Sequence, residues 1–342
     1  MTDERPTIRD VAKRAGTAVS TASLVVNNKG YVSDEVKKRV LEAVEELGYR
    51  PNRVARALAK NSTENIGFVV AQEHFSKVEP FYTKVFLGTE FEARQHDYYI
   101  LLTTVPKSFK PSCIPRFIRE CSVDGVIFAG KLSEGYVRAA LNNDIAAVVI
   151  DYRYPRSKVP TVNIDNLQGS ALAVEHLIKL GHENIAFVGG DLQHPSISQR
   201  FEGYRRTLEA NGLKYTEKLV SVDEPGTGPD DGYNATMKIL KSKTKFTAIV
   251  ACNDAVAIGS MRALKEYNIE VPTNVSIVGF DDIELSSHID PELTTLRVQK
   301  EELGATALRI LAQSLKSEKR IISSTLIEPE LVVRESTAKP YT

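Results

Sequence analysis

The sequence predicts a small all-α headpiece followed by a two-lobed α/β body built on two doubly wound parallel sheets. Three observations carry this expectation. Residues 5–60 hold twelve Lys or Arg against six Asp or Glu, a local charge of +6, on a chain of 342 residues whose formal net charge is zero. In the same stretch apolar residues recur at helical spacing around a glycine turn. After residue 64, short β-branched runs alternate with amphipathic stretches, the pattern of parallel sheets covered on both faces.

The headpiece reads as three helices. Thr7 with Asp10 three residues on resembles a capping box, and Ile8, Val11, Ala12 and Ala15 follow at i, i+3, i+4 and i+7. Gly16 supplies the turn. A second helix fits residues 18–27, with Ala22, Val25 and Val26 on one face and Val19, Ser20, Ser23, Leu24 and Asn27 on the other. The first face packs and the second is free to read. A third helix starts after Ser33, has Asp34 and Glu35 at its positive dipole end, and runs through Val36, Val40, Ala43, Val44 and Leu47 to Gly48. This layout is a helix-turn-helix, whose second helix lies in the major groove and reads base edges there. Charge alone would equally fit a solvated helical bundle; the helix pattern decides between them.

The segments TIRDVAKRAG, STASLVVN and LGYRPNRVARALA resemble the LacI/GalR (lactose-repressor) family of bacterial transcription regulators. The resemblance implies that Val19, Ser20, Ser23 and Leu24 meet base edges, while Thr7, Asn27 and Tyr49 hold phosphates. It also implies a hinge helix over residues 52–60, where Asn52, Ala55 and Leu58 contact DNA and Leu58 wedges into the minor groove. That stretch is too short to hold a helix alone. Two positions depart from the family pattern. Ala18 stands where relatives carry a capping Ser or Thr, and Leu24 where many carry Arg, so guanine recognition gives way to apolar contact.

In the body, NIGFVVA from 65, YYILLTTV from 98, VDGVIFAG from 123 and AAVVIDY from 146 read as strands, with helices near 81–96, 112–121 and 133–142. NIAFVGG from 184, LVSVDE from 219, FTAIVACN from 246 and VSIVGFDD from 275 form a second series, with helices near 166–180, 197–212, 230–241 and 254–267. The resemblance implies a periplasmic-binding-protein-like body with three chain crossings, expected near 163–166, 290–294 and 326–329. The domains are then a headpiece at 1–50, a hinge and linker at 51–63, and an effector-binding and dimerisation domain at 64–342. Lobe 1 takes approximately 64–163 and 294–326, lobe 2 approximately 164–293 and 327–342.

Open α/β sheets bind ligands beyond the carboxyl ends of their strands. Asp151, Asn253 and Asp281 end strands and Arg200 lies in PSISQRFEGY, a set that offers the mixed donors and acceptors a hydroxyl-rich ligand needs. The resemblance places Phe81 and Tyr82 at the pocket mouth. Each residue also has an ordinary explanation, since strand-end Asp and Asn cap helices and an Arg pairs with a nearby carboxylate. The chain has no Trp, and the loop EPGTGPDDG at 224–232 offers no stacking ring. A purine-like corepressor or a protein partner therefore stays open beside a sugar.

No GxGxxG follows a strand and no P-loop is present, so no cofactor is expected. Cys113, Cys121 and Cys252 lack metal-like spacing, and the six histidines at 74, 96, 176, 182, 194 and 288 form no ligand cluster. With no run of about 20 apolar residues and an N-terminus, MTDERPT, unlike a secretory signal, no membrane partner is expected and the location is the cytoplasm. The expected function is a repressor of carbohydrate-utilisation genes, a homodimer on near-palindromic operator DNA controlled by a small polar effector. A solute-binding transport protein has no use for the headpiece, and an enzyme lacks an acid–base or nucleophile constellation. The C-terminal STAKPYT shows no heptads that would tether dimers.

Overall fold

The structure is a computed structural model that describes residues 6–27, 30–50, 62–75, 81–155, 157–317 and 322–341. It divides into two compact units, with the boundary between Glu64 and Asn65.

The first unit holds helices α1 (Ile8–Ala15), α2 (Val19–Val26) and α3 (Asp34–Glu46). At the start of α1 the Asp10 carboxylate accepts from both the Thr7 backbone N–H (2.8 Å) and the Thr7 hydroxyl (2.7 Å). Gly16 ends the helix at φ +62° and Gly48 follows α3 at φ +59°, a conformation that costs glycine nothing. Val11, Ala12, Ala15, Ala22, Val25, Val40 and Ala43 form its buried core, and Tyr49 packs against them. Ala18 caps α2 with no side-chain hydrogen bond, so that helix begins bare.

The second unit opens with β1 (Asn65–Ala71), α4 (Phe81–Gln95), β2 (Tyr99–Val105), β3 (Gly125–Ala129), α5 (Glu134–Leu141), β4 (Ala146–Ile150) and β5 (Thr161–Ile164). There follow α6 (Asn166–Leu180), β6 (Ile185–Gly190), α7 (Pro195–Ala210), β7 (Val220–Glu224), α8 (Pro229–Lys241), β8 (Ala248–Ala251), α9 (Asp254–Glu266) and β9 (Ser276–Val278). The chain closes with β10 (Thr295–Arg297), α10 (Lys300–Lys316), β11 (Ser324–Ile327) and β12 (Glu330–Val332).

One sheet runs β11-β5-β4-β3-β1-β2 and the other β7-β6-β8-β9, every pairing parallel. Alternation along β1 shows why its apolar run is continuous: Ile66, Phe68 and Val70 face one core cluster, Val69 and Ala71 another. Both faces of the sheet are buried, so both faces of the strand are apolar.

Two stretches differ from the sequence expectation. The helix expected at 112–121 is a 3₁₀ turn at Pro111–Cys113 and a single helical turn at Arg116–Arg119. Pro115 lies between them; it has no N–H to donate and holds Ile114 extended at ψ 125°. The second crossing, expected at 290–294, comes after β10, which pairs antiparallel with β12 and bridges to the end of the second sheet through Val278–Thr294 and Asp281–Arg297. Hydroxyls and amides hold this segment to the second lobe. Thr295 donates to Asp254, the Thr294 N–H donates to Ser336 Oγ at 2.8 Å, and the Asp281 N–H donates to the Leu296 carbonyl at 2.8 Å.

Candidate functional site

On the headpiece, α2 separates a packing face from an open one. Ala22 and Val25 are buried, while Val19 is 44% and Leu24 40% exposed. Ser20 is exposed and Ser23 and Asn27 are half-buried on that same side. Two apolar side chains thus stand exposed to water on one face of a basic module. Asn27 donates to the Ser23 carbonyl at 2.8 Å, closing its own helix, and Thr7 is tied to Asp10. Asn52, Ala55 and Leu58 lie outside the described residues.

In the second unit, Phe81, Tyr82, Asp151, Arg200, Asn253 and Asp281 all line one cavity of about 330 Å³. The fold brings them there by different routes. Asp151 directly follows β4, Asn253 and Asp281 follow β8 and β9, Arg200 lies in the second turn of α7, and Phe81 and Tyr82 open α4. Asp151 and Asp281 take positive φ values of +56° and +109°. Asp tolerates the left-handed region better than most residues, and such backbone concentrates at binding sites.

Arg200, 7% exposed, is fully engaged along one edge. Its Nε donates to Asn166 Oδ1 (2.8 Å), Nη1 to the Cys252 carbonyl (2.6 Å) and Nη2 to Asp281 Oδ1 (3.2 Å). Its guanidinium lies 3.6 Å from the centroid of the Phe280 ring. Three of five donors are used, which leaves two for a ligand. Asp151 Oδ2 accepts from the Tyr82 hydroxyl at 2.8 Å, and Oδ1 from Ser196 Oγ at 3.4 Å. Burial pushes Asp151 up to about 6, against the Tyr82 hydrogen bond and the Arg200 charge that favour its anion. Burial also raises the Tyr82 hydroxyl, with the Asp151 charge beside it adding to the effect. Asn253 has the ordinary role of a strand-end amide as well. Its Oδ1 accepts from the Val256 N–H (2.8 Å) to cap α9, and its Nδ2 donates to the Thr227 carbonyl (3.1 Å).

Several groups at or behind the cavity were not singled out in the sequence. Ser196 lies one helical turn before Arg200 in α7, an i, i+4 pairing that could have found it. Asn166, which orients Arg200, stands at the crossing after β5 and carries no local signal. Lys107 and Lys131 also line the cavity, each two residues beyond the carboxyl end of a strand. Among the described residues no group of His, Cys, Asp and Glu could hold a metal ion. No helix there is long and apolar enough to cross a membrane.

The pattern for bacterial regulatory proteins of the lacI family matches residues 7–52, and that for a periplasmic binding protein-like domain matches residues 174–337. The HTH-type transcriptional regulator RegA of Clostridium saccharobutylicum is 32% identical over 333 residues, 96% of this chain and 98% of that protein. The chain belongs to the LacI family. Its fold follows that of other LacI-family proteins of known structure. The lac repressor dimer bound to operator and the anti-inducer ONPF superimposes with a TM-score of 0.78 at 28% identity, over 98% of this chain and 100% of that one. The regulator CelR in complex with cellobiose gives a TM-score of 0.71 at 29% identity, over 97% and 100%. As a LacI-family member the chain is a DNA-binding transcriptional regulator.

Proposed function

We propose that this regulator is a repressor of carbohydrate-utilisation genes that acts in the cytoplasm as a homodimer on a near-palindromic operator. A small polar effector, a sugar, occupies the cavity between the sheets and changes operator affinity. The observation that carries this reading is the convergence of two carboxylates, a guanidinium and an amide on one cavity. Together they offer the mixed donors and acceptors that a polyol's hydroxyls require. The lac repressor structure, a dimer with operator and a small molecule bound together, supports the same arrangement, and CelR with cellobiose supports a carbohydrate. Val19, Ser20, Ser23 and Leu24 read bases; Thr7, Asn27 and Tyr49, with Asn52, Ala55 and Leu58 of the hinge, position the protein. A two-fold protein suits a two-fold site. Coupling between cavity and DNA of about 1–3 kcal/mol gives a 5- to 150-fold change in operator affinity.

One feature favours a second reading. The wall contributed by Pro225, Gly226 and Thr227 has no aromatic ring, so the aromatic side chains on the cavity are those of Phe81 and Tyr82, which can stack on a planar base as well as on a sugar face; a purine-like corepressor is the second reading. A thermal-shift screen against sugars and nucleobases separates the two, since a ligand of the folded state raises the melting temperature by mass action. Each hit is then added to an operator gel shift. A sugar that raises the melting temperature and changes operator affinity at least fivefold supports the proposal; a nucleobase doing so replaces the sugar. Hits that stabilise the protein and leave operator binding unchanged would refute the effector role.

A further inference from the structure

We infer that the effector is a hydroxylated organic anion, whose phosphate or carboxylate group is held by Lys107 and Lys131 on the first lobe's wall of the cavity. This rests on the cavity being the effector site and goes on to name the ligand's charge.

Lys107 stands two residues beyond β2 and Lys131 two residues beyond β3, and both line the cavity. β2 and β3 flank β1 on either side, with Val105 paired to Ala71 and Ala129 to Val70. Two inter-strand spacings of about 4.8 Å put the two strand ends about 10 Å apart. A lysine side chain can close half that gap, so both ammonium groups can reach one anionic group between them. Neither lysine forms an ion pair among the described residues.

The carboxylates that line the cavity are otherwise engaged. Asp151, on the neighbouring strand β4, accepts from Tyr82 and Ser196; Asp281 is paired with Arg200; and Asp191 accepts from the Gln193 N–H at 2.8 Å in its own turn. A third cation lies behind the lining residues, against Asp281 and Phe81. The ammonium of Lys300, 4% exposed, donates to the Asp281 carbonyl and lies 5.8 Å from the Phe81 ring centroid, with no carboxylate partner among the described residues. Lys131 is half-buried and Lys107 exposed, and a ligand anion between them gains an attraction for which no ion-paired protein carboxylate competes among the described residues. The polyol part of the ligand then meets Asp151, Arg200, Asp281 and Asn253, with Phe81 and Tyr82 as aromatic rings on the same cavity.

The test is titration calorimetry on the full chain with matched sets of pentoses, hexoses and disaccharides, each as the neutral sugar, the sugar phosphate and the uronate, together with inorganic phosphate. An anionic member binding at least tenfold more tightly than its neutral parent is the expected result. Sugar phosphate against uronate tells which anion is preferred, and weak inorganic phosphate shows that the hydroxyls are needed too. In Lys107→Gln/Lys131→Gln the anionic preference should fall to within about twofold, and raising salt should weaken only the anionic ligands. Lys107 is exposed and Lys131 half-buried, neither forms an ion pair among the described residues, and the melting temperature of the unliganded variant checks that the fold is kept. Neutral sugars that bind as well as their anionic forms, or a preference that survives the double variant, overturn the inference while leaving the cavity reading intact. A panel in which nothing binds sinks both.

Discussion

Removing the guanidinium of Arg200 strands a buried carboxylate, and that consequence is separable from any loss of ligand contact. Arg200 and Asp281 are 7% and 8% exposed, and breaking such a pair from one side costs about 3–5 kcal/mol. Arg200→Ala should lower the urea midpoint accordingly and abolish the ligand-induced thermal shift; a stability loss below 1 kcal/mol would mean that water enters and solvates Asp281. Asp254 gives a prediction in pH. Its oxygens accept from Thr295, from Ser286 Oγ and from the Ile283 N–H, the last two at 2.8 Å, yet burial and the Asp281 charge push it up to about 7 from 3.8. Below pH 3.8 the folded and unfolded chains are both protonated there. As pH rises towards 7 the unfolded chain has lost a proton that the folded chain still holds, so the stability owed to this group declines and is gone above about 7. Asp254→Asn, which keeps an acceptor for Ile283 and can donate to Thr295, should flatten that decline by an amount on the order of a few kcal/mol. The slope left by Asp151, raised to about 6, should persist in the variant and end near pH 6. Denaturation curves from pH 4 to 8 measure both, and parallel profiles for variant and parent would show that Asp254 titrates at its ordinary value.

Helices make their own demands, clearest where α4 crosses α10. A methyl group at Gly304 would stand 1.9 Å from the Val85 carbonyl oxygen, and one at Gly88 1.9 Å from that of Glu301, so the two backbones approach as only glycine permits. Gly304→Ala should force the helices apart and cost about 1–3 kcal/mol despite alanine's better helix propensity. A melting temperature equal to or above the parent's would show that the helices slide without penalty. At the other extreme, Ala18→Ser supplies the cap that α2 lacks and should add about 1 kcal/mol to that helix, read as slower amide exchange at Ser20 and Thr21. Unchanged exchange there would show that α2 draws its order from the core under Ala22 and Val25 alone. Elements of this kind were legible in the sequence wherever a face is apolar. The span 166–180 is the helix Asn166–Leu180, and Asp151, Asn253 and Asp281 line one cavity because strand ends in a parallel sheet share one side. Less legible were features set by distant partners. Nothing local to Thr294 and Thr295 announces that Ser336 and Asp254 will hold them on the second lobe. Nor does the sequence near Asn166 show that its amide will orient Arg200 from 34 positions away.

At the scale of the molecule the decisive fact is that the two units have separate cores. The headpiece buries a few small residues, Val11, Ala12, Ala15, Ala22, Val25, Val40 and Ala43, whereas the body buries two large aliphatic and aromatic clusters. A unit of 64 residues buries a smaller share of its surface than one of 278 and is correspondingly marginal. The body should therefore fold without the headpiece, and ligand binding should belong to it alone. A chain cut to residues 62–342 is expected to show the full ligand-induced thermal shift, which at 100 times Kd corresponds to about 2.7 kcal/mol, and to lose sequence-specific operator binding. Full-length protein under the same conditions should respond in its body transition while its headpiece transition stays in place. If the cut chain lost the ligand shift, residues 1–61 would be part of the ligand site and the separation of cores would not be a separation of functions. Should it instead retain specific operator binding, the reading face of Val19, Ser20, Ser23 and Leu24 would not be where sequence is recognised. Keeping the shift while losing the operator is the one outcome in which a folded sensor and a marginal reader remain physically distinct, so that ligand binding must act on DNA affinity through the connection between them.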